Sequence, residues 1–346
     1  MHTSNRIIQL FKENQASVPF SGSAYVKGKE TLVATCFGYA NRSEKICNQT
    51  DTRFGMASGC KLFTAVAICQ LIEQGLFKYD TPVQDIIHLS LPFLSPQVTV
   101  HHLLTHSSGI PDYFDEDEMD DFEELWKKRP MYRMNRPLDF LPLFQEKPMM
   151  FDAGKQFHYN NAGYILLGMI IEATSGLDFR QYIKKHIFNP SGMTQTGYDR
   201  MDHLLPKTAL GYIEDPKTAS WRTNAYSLPI QGGSDGGAYT TVYDLEKFWN
   251  HLFSYQLLGK QFTEKLLTPH IQVDTHLYYG YGLWIAFHND QVFKYFIFGY
   301  DPGVRLSSSV YATSRIQSHL LANSEVNINQ YARQIDDIVK SEPALI

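Results

Sequence analysis

The spacing of apolar residues changes twice along the chain, and those changes divide it. Ile7 to Asn14 reads as a short helix. Ser23–Lys27 and Thr31–Tyr39 carry the β-branched and apolar runs of two strands around the turn Lys27-Gly28-Lys29-Glu30. From Ser58 the period lengthens: Leu62, Ala65, Val66, Cys69, Ile72 and Leu76 fall on one helical face, and Gly75 is placed to end that helix. Ile165, Leu166, Met169, Ile170 and Ala173 predict another amphipathic helix, with Gly176 just past its end, and Asp244–Phe253 predicts one more. Strand signals return at Tyr281–Phe287, Val292–Phe298, Arg305–Ala312 and Ser318–Ala322, before Asn329–Val339 closes the chain as a helix.

Strands at both ends with helices between them predict an α/β (α+β) fold. Residues 1–78 and 222–346 would form a discontinuous sheet domain. Residues 79–221 would form an inserted α-rich domain, with the catalytic cleft between the two. The chain has 346 residues, 43% hydrophobic and 19% charged, which suits an ordinary globular core. Its net charge of −5 and the lack of a basic stripe exclude broad attraction to nucleic acid. No apolar run reaches the length of a membrane span, and the segment from Met1 to Phe11 lacks the apolar stretch of a signal peptide. The expectation is a soluble protein, cytoplasmic or exported with its signal removed. Oligomeric state is open.

Cys36, Cys47, Cys60 and Cys69 show neither C-x-x-C pairing nor repeated spacing, so buried free thiols are expected. The segment Asp112 to Glu124 is crowded with carboxylates and is followed by Lys127, Lys128, Arg129, Arg133 and Arg136. A solvated loop and helix face would explain it. So would a segment that overhangs a cleft and disfavours anionic substrates.

Candidate chemistry begins at Ser58, where a loop runs into the first long helix. An unassisted hydroxyl is a poor nucleophile near neutral pH and needs a base within reach. Lys61 lies one helical turn on, so its amine can meet the hydroxyl. Ser58 also sits in the first turn, where unpaired N–H groups favour developing negative charge. His158-Tyr159-Asn160-Asn161 opens the second amphipathic helix. A phenol near an ammonium has its phenolate stabilised and can act as a general base, while Asn161 can hold the lysine or a substrate carbonyl.

Ser58-x-x-Lys61 followed by Tyr159-x-Asn161 resembles the serine β-lactamase and penicillin-binding-protein superfamily. The tyrosine-based second motif is similar to class C β-lactamases, low-molecular-weight D-alanyl-D-alanine peptidases and related esterases. Leu103-Leu-Thr-His-Ser-Ser-Gly-Ile-Pro-Asp-Tyr113, Asn189-Pro-Ser-Gly-Met193 and the glycine-rich stretch from Gly232 to Asp244 extend the likeness from about residue 20 to 320. The resemblance implies a β-lactamase/transpeptidase-like fold, a mostly antiparallel sheet flanked by helices. It also implies a serine hydrolase that works through an acyl-enzyme. Its acyl donor would be a D-Ala peptide, a β-lactam or a small ester, with no cofactor and no metal.

The family's third motif, K-T-G or H-x-G, matches Ile297-Phe298-Gly299. The glycine is kept and the protonatable first residue is replaced by isoleucine. By resemblance, the N–H groups of Ser58 and Tyr300 form the oxyanion hole, which survives side-chain changes. A side chain that could bind a substrate carboxylate is lost. Efficient β-lactamase or carboxypeptidase activity is therefore less expected than acylation itself. The alternative is a slow-acylating module that binds penicillin or peptidoglycan peptide without efficient turnover.

Two other motifs compete. Gly232-Gly233-Ser234-Asp235-Gly236 matches a G-x-S-x-G nucleophile elbow, but Pro229 interrupts the run before it and the next helical signal waits until Thr241. A loop that lines or braces the cleft is the simpler expectation. His101, His102 and His106 lack an acidic partner at metal-protease spacing, so they are read as structural or surface histidines.

Overall fold

The computed structural model describes residues 3–15, 17–215 and 217–341. Eight strands make the main sheet: β1 (Gly22–Lys27), β2 (Leu32–Phe37), β3 (Ile271–Asp274), β4 (Leu277–Tyr279), β5 (Trp284–His288), β6 (Gln291–Asp301), β7 (Val304–Tyr311) and β8 (Gln317–Ala322). Their spatial order is β2-β1-β8-β7-β6-β5-β4-β3, and every neighbouring pair is antiparallel. The first strand pairs with the last, Gly22 opposite Ala322 and Lys27 opposite Gln317. The sheet thus draws its strands from both ends of the chain.

Five longer helices flank it: α1 (Thr3–Asn14), α2 (Lys61–Glu73), α3 (Asn161–Ser175), α4 (Val242–Phe253) and α5 (Ile328–Lys340). One sheet face is covered by α1 and α5, through a cluster that includes Ile7, Phe11, Tyr331 and Ile335. The opposite face carries the larger core with α2, α3 and α4. Here the structure corrects the amphipathic reading of α2. Every residue from Lys61 to Ile72 is buried, because the helix is enclosed on all sides, with α3 among its neighbours. Leu76, expected on its apolar face, lies beyond the helix and is exposed. Gly75 and Gly176 hold φ values of 77° and 70° just past α2 and α3, the left-handed turn that only glycine adopts without strain.

Two strands at one end of the sheet, the edge strand β3 and its neighbour β4, carried no clear signal: they are short and only partly buried. β6 runs to Asp301, beyond the expected end at Phe298, so Gly299 and Tyr300 belong to the ladder. The buried Ser308 hydroxyl on β7 is satisfied by an indole and an imidazole. Trp249 Nε1 donates to Ser308 Oγ at 2.8 Å, and Ser308 Oγ lies 2.9 Å from His319 Nδ1. Cys60 and Cys69 are buried free thiols as expected, whereas Cys36 is half-buried and Cys47 is exposed. Among the described residues no single helix is long and apolar enough to cross a membrane.

Candidate active site

Ser58 sits in a short 3₁₀ turn, Ala57–Cys60, that feeds directly into α2. The preceding residue, Ala57, holds a φ of 47°. A non-glycine residue held in such a sparsely populated region costs about 1–3 kcal/mol and persists only where its surroundings impose it. They do so here. Met56 N–H donates to Ala238 O at 2.8 Å and Gly237 N–H donates to Ala57 O at 3.2 Å. Cys60 Sγ donates to the same Ala57 oxygen at 3.0 Å. From the other side comes β6. A methyl group on Gly299 would collide with Met56 O and lie 3.0 Å from both Ala57 Cβ and Gly59 N. The glycine is what lets this strand approach the serine turn.

Lys61 is 2% exposed. Its Nζ donates to Ser58 Oγ at 3.0 Å, to Asn161 Oδ1 at 2.8 Å and to Asp235 O at 2.7 Å. Three acceptors match the three protons of an ammonium. The same nitrogen stands 5.0 Å from the centre of the Tyr159 ring, and the Ser58 hydroxyl is near enough to the phenol to favour its ionised form. Two separate helix starts therefore bring their polar groups to one hydroxyl.

The second helix start is fixed by Asn160, by His106 and by Asp112, whose role the sequence reading did not single out. Asn160 caps α3 by accepting from Gly163 N–H at 2.7 Å. The Asp112 carboxylate accepts from Asn161 N–H at 2.6 Å and from Ala162 N–H at 2.9 Å. Asn161 Nδ2 donates to Asp112 Oδ2 at 3.2 Å and Phe114 O at 3.3 Å, which turns its oxygen toward Lys61. His106 lies beneath Tyr159 with ring centres 4.4 Å apart. Its Nδ1 accepts from Asn160 N–H at 3.0 Å and its Nε2 lies 3.1 Å from Tyr279 Oη. His106 is thus a structural histidine, and its place is directly under the site.

One electrostatic expectation is overturned. The Tyr159 phenolate was expected to be stabilised by lysine. Instead burial pushes its pKa well above the usual tyrosine value, and the nearby Glu116, Asp112 and Asp235 push the same way, opposed only by the Ser58 hydrogen bond. The resting side chain is a neutral phenol. Burial also raises Asp112 to about 6. Asp301 is raised to about 7 by burial; Lys61 opposes this, while Asp235 and Glu116 add to it.

A family model described as Beta-lactamase matches residues 7–328. The chain belongs to the beta-lactamase family. It is 31% identical to "Penicillin-binding protein 4*" of Bacillus subtilis over 77% of its own length and 59% of that protein's. It is equally similar to "Putative penicillin-binding protein PbpX" of the same organism, over 78% of this chain and 63% of the relative. This beta-lactamase family chain therefore spans about three fifths of the length of those relatives. A solved penicillin-binding protein from Bacillus halodurans superposes with a TM-score of 0.91 at 47% identity, covering 96% of this chain and 99% of that one. A D-amino acid amidase from Ochrobactrum anthropi shares the fold, with a TM-score of 0.79 at 22% identity over 98% of both chains. The superfamily is one of serine hydrolases, and the mixed fold with its large antiparallel sheet is that of β-lactamase/transpeptidase-like proteins.

Against that family pattern, Ile297 is 2% exposed and packs into the core, so no cation stands at the start of the third motif. Tyr300, Gly236 and Asn161 line one cavity with Ser58, of about 430 Å³. The competing Ser234 is fully buried, with its hydroxyl lodged against Gly168 and without a hydrogen-bond partner. Its loop braces the site instead. Ser234 O accepts from Thr64 Oγ1 at 2.6 Å, and Asp235 O holds Lys61. The acidic segment after Asp112 reaches this cavity through Glu116, Asp120, Asp121 and Glu123, so it overhangs the cleft.

Proposed function

We propose that this beta-lactamase family member is a serine acyl hydrolase acting on an amide or ester carbonyl. The observation that carries the reading is Ser58 Oγ, 3.0 Å from the Lys61 amine, which itself stands 5.0 Å from the centre of the Tyr159 ring. Ser58 attacks the carbonyl while its proton passes to the Lys61–Tyr159 pair. The N–H groups of Ser58 and Tyr300 hold the oxyanion. The leaving group takes a proton back from the phenol, and the acyl group stays on Ser58. Water, giving its proton to the same pair, then releases the acid and restores the serine. The chemistry calls on no cofactor and no metal.

The reactive form needs a phenol able to take the Ser58 proton. Because Tyr159 is held well above its usual value, the deprotonated fraction grows only as pH rises toward that value. For a neutral activated ester, kcat/KM should climb with pH through neutrality and on into the alkaline range. Steady-state rates between pH 6 and 10 test this. A flat profile across that range removes Tyr159 from the proton path.

Intact-mass spectrometry after exposure to a panel of acyl donors tests the main reading. The panel holds a D-Ala peptide, a β-lactam and a short-chain ester. One acyl mass should appear on the wild-type protein and be absent from Ser58→Ala, with hydrolysis down by on the order of 10³-fold or more. A Ser58→Ala variant that keeps wild-type hydrolysis sinks the proposal.

A second reading, a slow-acylating binding module, is favoured by the neutral Tyr159 and the missing third-motif cation. Burst kinetics separate the two. Stoichiometric release without a steady state marks a trap, and continuing turnover marks an enzyme.

A further inference from the structure

Side chains two residues apart on a strand share a face, so Ile297, Gly299 and Asp301 line up on the side of β6 turned toward the serine turn. Where the third-motif cation would stand there is an alkyl group, and four residues further along the same face there is a carboxylate. Asp301 is also unmatched: among the described residues its carboxylate accepts no hydrogen bond and joins no ion pair, although it lines the cavity that holds Ser58.

The rest of the cavity sharpens the imbalance. Its lining includes eight carboxylates and two guanidiniums. Both guanidiniums are already engaged. Arg222 donates to Glu123 at 2.6 and 2.8 Å. Arg305 donates to the main-chain oxygens of Asp301 and Val304 at 2.7 and 2.8 Å, leaving the Asp301 carboxylate alone. Among the described residues the Asp235 carboxylate accepts from Tyr113 alone. Glu116 is exposed at the loop that overhangs the cleft. Lys61 is held by three acceptors of its own. A substrate carboxylate entering here would meet repulsion with no free cation to hold it; an ammonium would complete a charge set the protein leaves open. Phe114, Phe122, Met201 and Leu228 supply apolar wall beside it for a side chain.

We propose that the acyl donor carries a protonated amine near its reactive carbonyl, and that Asp301, flanked by Asp235 and Glu116, holds that ammonium. The proposal rests on the acyl-transfer reading of Ser58 and narrows its substrate class from any amide or ester to amino-acyl or amino-terminal peptidyl donors. Burial that pushes the Asp301 carboxyl up would be countered by such a ligand, which stabilises its ionised form.

The test pairs an amino-acid p-nitroanilide with its N-acetylated form, at one pH near neutrality. In wild type, kcat/KM for the free amine should exceed that of the acetylated donor at least about tenfold, and Asp301→Asn should bring the ratio near one. A wild-type ratio at or below one overturns the proposal. So does a high ratio that Asp301→Asn leaves intact, which would move the amine to other carboxylates. Calorimetry with phenethylamine and 2-phenylethanol on the wild-type protein gives a second readout, independent of how the variant folds. The amine should bind at least about tenfold more tightly, and equal binding overturns the idea. Calorimetry needs no turnover. Failure of every donor to acylate Ser58 therefore defeats the serine-hydrolase reading alone.

Discussion

A Lys61→Met variant should lose on the order of 10³-fold in kcat/KM toward an activated ester, within the range seen when a positioned proton-transfer group is removed. Methionine preserves the length and apolar stem of the side chain but takes away all three donors. Asn161 Oδ1 and Asp235 O are then left without their partner, and Ser58 loses the base 3.0 Å away. Each buried acceptor left unpaired costs about 1–3 kcal/mol, offset in part because a buried charge no longer needs to be accommodated. The melting temperature is therefore expected to move far less than the rate. Steady-state kinetics beside a thermal melt decide the point. A variant within tenfold of wild type would place the proton path elsewhere.

The second large effect is expected from one methyl group. Gly299→Ala sets a Cβ into Met56 O and against Ala57 Cβ and Gly59 N. None of these atoms is the end of a flexible side chain, so either β6 or the strained serine turn must shift. Overpacking of this kind costs about 1–3 kcal/mol in stability. A displacement of about 1 Å at the reacting atoms can cost on the order of 10²-fold in rate. The expected result is a fall of that size in kcat/KM with a lowered melting temperature. Activity within threefold of wild type would show that the strand does not position the serine.

What the sequence revealed about the site was what lies close together in it. Ser58 and Lys61 are one helical turn apart, so their meeting follows from helix geometry. Asn161 and its turn toward lysine were foreseen in kind, from an amide at a helix start, although its holder Asp112 passed for one more acid in a crowded segment. The state of Tyr159 was not legible. It depends on burial and on Glu116, Asp112 and Asp235, which arrive from two different loops. Asp301 stood beside Tyr300 in the sequence and was passed over, because nothing in a single chain of letters says that a carboxylate will lack a partner. At the level of fold, the longer strands and the helices α2 and α3 were visible from their periods. The short strands β3 and β4 were not, since partly exposed runs of three or four residues carry too little alternation to stand out. The burial of α2 on every side was hidden for a similar reason: a one-face pattern can be drawn through a helix whose other faces are apolar too.

The pairing of β1 with β8 has a consequence for the timing of synthesis. The ribosome delivers Ser58 and Lys61 early. The strand that carries Gly299 and the strand that pairs with β1 emerge long afterwards. Until then the nucleophile lies in a chain with no partner ladder, and contacts this distant in sequence form slowly. Nascent protein should therefore remain chemically silent, and reactivity should arrive in a single late step once β1 and β8 have found each other.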